Sequence, residues 1–185
     1  QLELVQLGYK LKQMRPLQQP PLEPSLAVHW LGTVKEPTEQ EALVLSKEHE
    51  LYVRKVVEAI RDEGDDNERR QVFRSLRLSD GLASVAPVLV RFAAGEAAKA
   101  KKRSCRTLRN AIAALRALSL NRHARLEPLL HDVLPAVLTC VVGKKLGNDS
   151  EHLILRSEAA RCVADICDEF GDRYASLRPR VAKTL

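Results

Sequence analysis

Two materials meet in this chain, and hydrophobic spacing tells them apart. From residue 38 onward apolar side chains recur every three or four positions, the period of a helix with one buried face. In LSKEHELYVRKVVEAIRDE, residues 45–63, one stripe holds Leu45, Leu51, Tyr52, Val56, Ala59 and Ile60. Thr38 and Glu41 have capping-box spacing, and Ser46 offers a second place to start. GDDN at 64–67 is a turn, and a shorter helix is predicted over 67–79, broken by Asp80 and Gly81. A wheel for 99–120 gathers Ser104, Cys105, Leu108, Ala111, Ile112, Leu115 and Leu118 on one arc. For 152–170 the arc holds Leu155, Ala159, Cys162, Val163, Ile166 and Phe170. Residues 1–37 show no such period. Pro16, Pro20, Pro21 and Pro24 make them an extended, Pro-rich arm or linker. That arm carries the only tryptophan, Trp30, which is expected to dock on the helical part.

The helical part repeats. VAPVLVRFAAG at 85–95 aligns with VLPAVLTCVVG at 133–143, with valine, proline and glycine coinciding at an offset of 48. A third proline, Pro179 in LRPRVAKTL, follows Pro135 by 44 residues. Such a period is that of HEAT-like helical hairpins, which stack into a solenoid. The fold class predicted is therefore all-α: an α-solenoid of HEAT-like hairpins over 38–185, with the arm of 1–37 in front. Proline is tolerated in the first turn of a helix, where its missing N–H has no partner to lose. LEPLLHDV before Pro135 is itself helix-like, so for that residue a place inside the helix, with a kink, is expected. In HEAT repeats an Asp of the intra-repeat turn commonly pairs with an Arg at the head of the second helix. Asp149 and Arg156 have the types and spacing for that ladder.

Composition agrees with a helical reading. The chain is 45% hydrophobic yet only 4% aromatic, so its core must be built from Leu, Val, Ala and Ile. No run reaches the roughly 18 uninterrupted apolar residues of a membrane helix. The first residues have no apolar stretch ending in small residues, so they are not a signal peptide. With no initiator Met and an abrupt end in RPRVAKTL, the chain is expected to be a piece of a longer protein, its last repeat cut. Cys105, Cys140, Cys162 and Cys167 form no CxxC pair, and core thiols in a reducing compartment are expected.

Charge changes the picture more. Net charge is +6, but the basicity is local. Residues 97–125 hold nine of the 30 basic residues and no Asp or Glu. On the wheel, Lys99, Lys102, Arg103, Arg106, Arg109 and Arg116 lie opposite the apolar arc. They form a candidate interaction surface for DNA backbone or an acidic partner. No aromatic residue interleaves with them, which argues against stacking on single strands.

Catalytic signatures fail in turn. GKKLG at 143–147 lacks the earlier glycine and the following Ser or Thr of a phosphate loop, and reads as a helix C-cap. There is no HExxH, GxSxG or GxGxxG. His131 and Asp132 are adjacent, so their side chains are expected to diverge on a helix. Neither an enzyme nor a cofactor or metal site is expected.

Four blocks taken together carry a resemblance: PLEPSLAVHWL (21–31), LSKEHELYVRKVVEAI (45–60), LEPLLHDVLPAVLTCVVGKKL (126–146) and LRSEAARCVADICDEFG (155–171). In this order they resemble the C-terminal half of the TBP-associated factor six family, subunits of the general transcription factor TFIID. HDVLPAVLTCVV resembles the family most specifically. The resemblance implies a nuclear, non-enzymatic HEAT scaffold joining TFIID subunits in RNA polymerase II pre-initiation assembly, in many organisms also SAGA subunits. It implies an N-terminal histone fold pairing with TBP-associated factor nine, but that fold is absent from these 185 residues. The linker between Leu31 and Leu45 is also short, at 13 residues. Homodimerisation, direct DNA contact and a HEAT adaptor role in another pathway remain the open alternatives.

Overall fold

A computed structural model describes residues 46–62, 65–146 and 151–185. Among these, regular structure is helical: α1 Lys47–Arg61, α2 Asp66–Leu78, α3 Ala86–Ala98, α4 Cys105–Ser119, α5 Leu130–Val142, α6 His152–Phe170 and α7 Leu177–Thr184. Helix starts follow local chemistry. The side chains of Ser46, Asp65 and Ser104 accept backbone N–H groups of His49, Asn67 and Thr107, the first-turn donors that have no partner within the helix. Of the two starts offered for the first helix, Ser46 is the cap of α1; Thr38 lies outside the described residues, as do Trp30, Asp149 and the whole Pro-rich arm.

The helices form two layers. α1, α3 and α5 lie side by side in one, and α2, α4 and α6 in the other. Each hairpin (α1–α2, α3–α4, α5–α6) contributes one helix to each layer, and α7 follows against α6. This is the expected α-solenoid. One continuous core runs between the layers, aliphatic at its centre: Ile60, Leu76, Leu89, Leu108, Leu115, Leu134, Leu155 and Ile166 are all fully buried.

The aligned prolines do different jobs. Pro87 sits in the first turn of α3 and Pro179 in that of α7. Pro135 lies inside α5, because a 3-10 turn at Glu127–Leu129 leads into a helix that already begins at Leu130. It is exposed, so the carbonyl it cannot bond sits on the wet side of the helix. The aligned glycines differ too. Gly143 caps α5, and a Cβ there would lie 2.6 Å from the Thr139 carbonyl oxygen. Gly95 lies within α3, where a Cβ would meet nothing.

Cys105, Cys140 and Cys162 are buried, and Cys167 is half-buried. Burial pushes the Cys140 thiol up to about 11 and Cys162, which also faces Asp165, up to about 12. A thiolate there would lose water that the aliphatic core cannot replace. Both folded values exceed the ordinary 9.0 of an unfolded chain. Their stabilising contribution is therefore complete below about pH 9 and lost as pH rises through 11 to 12. At about 1.4 kcal/mol per pH unit for each thiol, stability is expected to fall by roughly 2–3 kcal/mol between pH 8 and 10. Urea unfolding at both pH values checks this. A Cys140→Ala/Cys162→Ala variant should lose most of that slope, and an unchanged slope would refute the assignment.

Candidate functional site

The charged surface takes shape at the junction between α3 and α4. Ser104 starts α4 by capping it, so residues 99–104 form a connection instead of a first helical turn. The expected helix over 99–120 is thus corrected to Cys105–Ser119. Lys99, Lys102 and Arg103 stand in the loop before it and do not share one helix face with Arg106, Arg109 and Arg116. Lys99 and Arg103 turn back onto Glu96, a carboxylate buried at the end of α3. Lys99 Nζ lies 3.1 Å from Oε1, and Arg103 Nη2 donates to Oε1 at 2.9 Å with its Nε 2.6 Å from Oε2. Lys102 is exposed and has no ion pair among the described residues.

The three arginines on α4 reach across the layer to both neighbours. Toward the first hairpin, Arg106 Nε lies 2.7 Å from Asp62 Oδ2 and its Nη2 2.9 Å from Asp66 Oδ1. Arg69 of α2 bonds the same two carboxylates. Toward α6, Arg109 grips Glu158 with both arms of its fork, at 3.0 and 2.9 Å, and reaches Glu151 at 3.1 Å. Its bonds to Glu158 raise the guanidinium further above its ordinary range. Arg116 bonds Asp165. The basic stripe is therefore a seam tying α2, α4 and α6 together. Each pair is partly exposed, so each contributes no more than about 1 kcal/mol, and less at high salt.

Charge reversal tests the seam. Arg109→Glu would set a third carboxylate beside Glu151 and Glu158 and is expected to cost roughly 2 kcal/mol at low salt. Adding Glu158→Arg should return about half of that loss. Equal loss with and without the second change, measured by urea unfolding, would show that the pair is decorative.

Other polar groups finish helix ends. Arg156, expected in a ladder with Asp149, donates to the carbonyls of Val141 and Gly143 at the end of α5. Asn121, unmarked in the sequence, is buried and bonds the end of α2. His131 and Asp132, expected to diverge, approach to 3.6 Å. Among the described residues, no cluster of His, Cys, Asp and Glu could hold a metal, and no helix is long and apolar enough to cross a membrane.

This geometry has known relatives. Residues 41–185 match the family described as TAF6 C-terminal HEAT repeat domain. The chain is 35% identical over 144 residues to transcription initiation factor TFIID subunit 6 of Arabidopsis thaliana, covering 77% of this chain and 26% of that protein. It is 34% identical over 144 residues to the SAGA complex/transcription factor TFIID complex subunit Taf6 of Schizosaccharomyces pombe, covering 76% of this chain and 32% of that one. It thus spans about a quarter to a third of the length of these relatives. Among solved structures, the TAF6 C-terminal domain from Antonospora locustae matches with a TM-score of 0.64 at 30% identity, over 76% of this chain and 68% of that one.

Proposed function

The chain belongs to the family of TAF6 C-terminal HEAT repeat domains, and from that we propose that it serves as a non-enzymatic scaffold within a TFIID-type general transcription factor. The observation that carries this reading is the similarity itself: it runs through residues 41–185, so it takes in every helix from α1 to α7. The structure supplies a physical rationale. A scaffold must hold its outer faces at fixed separations, and here a continuous core and an arginine seam both cross the repeat boundaries. Side chains on the outer faces of both layers are then available to other subunits. Nuclear localisation follows from the same reading. A second assembly, SAGA, enters through the name of the Schizosaccharomyces pombe relative.

The test is affinity purification from nuclear extract with the 185-residue chain as bait, read by mass spectrometry. Enrichment of TFIID subunits over a folded helical control is the expected result. If folded bait enriches none of them, assembly rests on parts of the protein outside this chain, and the scaffold reading of this domain fails.

A further inference from the structure

The arginines of the seam each hold a carboxylate, and Arg156 holds two carbonyls. Two arginines on the α4–α5 connection hold neither. Arg122 and Arg125 are exposed, form no ion pair among the described residues, and line one concave cleft of about 310 Å³ with the end of α6. Arg122 opens a 3-10 turn at Arg122–Ala124 and Arg125 caps it, and both border the same cleft. Arg125 ends the turn at φ 46° and ψ 57°, a left-handed conformation that costs a non-glycine residue about 1 kcal/mol. A charged side chain held in a strained backbone beside a hollow is an arrangement that functional sites favour. The other charged side chains of the cleft are already paired. Glu127 and Glu169 both bond Arg173, which also lies over the Phe170 ring at 5.4 Å. The donors left over are therefore those of Arg122 and Arg125.

We propose that this cleft binds an acidic peptide segment of a partner protein, its carboxylates gripped by Arg122 and Arg125. The planar fork of an arginine suits a carboxylate, which it can take with two parallel bonds. A hollow of this size admits one or two side chains. A hollow of this size takes single side chains, whereas the phosphates of a duplex would stay at its rim, so a peptide fits better. The inference stands on the cleft alone and does not depend on the assembly in which the domain works.

The probe is a fluorescein-labelled peptide of three Asp-Leu-Ser-Glu repeats, titrated with the 185-residue chain and read by anisotropy at low salt. Its counterpart, with Asn and Gln in place of Asp and Glu, is the control. Saturable binding is expected, weakened about tenfold or more for the amide peptide and for Arg122→Ala/Arg125→Gly. Glycine at 125 accepts the left-handed backbone without strain, so this variant should melt no lower than the parent. No saturable binding, equal binding by parent and variant, or equal binding of the amide peptide would overturn the proposal. Displacement of the peptide by a short DNA duplex, itself weakened in the variant, would also overturn it, because the cleft would then be a phosphate site.

Discussion

Replacing Leu115 by alanine is expected to lower the unfolding free energy by about 3–5 kcal/mol, the upper part of the range for a leucine truncated in a closed core. Leu115 is fully buried near the middle of α4. That helix touches α1, α2, α3 and α6, so it takes part in all three hairpins. Removing three heavy atoms from its buried side loses their transfer free energy and leaves a cavity. The surroundings can close that cavity only in part, because α3 and α6 are themselves packed against α5. A domain of this size is stable by about 5–15 kcal/mol, so the loss would be a large fraction of the total. Leu153→Ala is the control. Leu153 is 68% exposed at the start of α6, and its truncation should change stability by less than about 0.5 kcal/mol. Urea unfolding of both variants checks the contrast. Similar losses at the two positions would mean that α4 is not the keystone its burial indicates.

The apolar pattern makes this core readable in α4 and α6, but in α1 the stripe includes Leu51, which is exposed, and leaves out Val53 and Val57, which are buried. Cys105, Leu108, Ala111, Ile112, Leu115 and Leu118 of the arc drawn for α4 are buried, while Ser104, drawn on the same arc, is exposed and caps the helix. Leu155, Ala159, Cys162, Val163, Ile166 and Phe170 are likewise the buried residues of α6. Burial of a helix face depends on spacing along one segment, and spacing is local information. The start of α4 was less readable. The apolar arc and the helix-favouring lysines allow a helix from residue 99, but the Ser104 side chain and the turn back to Glu96 end that option. Pro135 was legible as an interior proline only because its preceding residues looked helical; its equivalents Pro87 and Pro179 show that alignment alone assigns no role.

The charged site was legible in composition and misleading in meaning. No acid occurs within residues 97–125, yet six carboxylates reach them in space: Asp62, Asp66, Glu96, Glu151, Glu158 and Asp165. A signal for part of this was present. Arg109 and Arg116 are seven apart, as are Glu158 and Asp165, and both pairs are separated by 49 residues. That is almost the repeat offset of 48 read from the prolines. Equivalent helices of successive repeats run parallel, so opposite charges one period apart meet across the layer. Scanning charge at the repeat offset finds these pairs. It does not find Arg106, whose partners lie in the turn and first residues of the preceding hairpin.

Asn121→Ala is expected to cost about 3 kcal/mol, although the residue belongs to no α-helix. Asn121 is 4% exposed, and its amide nitrogen donates to the carbonyls of Leu76 and Ser79, both at 2.8 Å. Those carbonyls belong to the last turn of α2 and its cap, where no helical N–H follows to bond them. Its amide oxygen accepts the His123 N–H at 2.8 Å and so starts the 3-10 turn that presents Arg122 and Arg125. One side chain thus closes a helix of the first hairpin and shapes the loop after the second. Alanine would leave two carbonyls without donors in a place water reaches poorly, at about 1–3 kcal/mol each before relaxation. Asn121→Asp separates the two jobs. An aspartate can still accept from His123, but it sets a negative oxygen against two carbonyl oxygens, so it should destabilise at least as much as alanine at neutral pH. Urea unfolding ranks parent, alanine and aspartate. If aspartate kept most of the stability, the His123 bond and not the closure of α2 would be what Asn121 supplies.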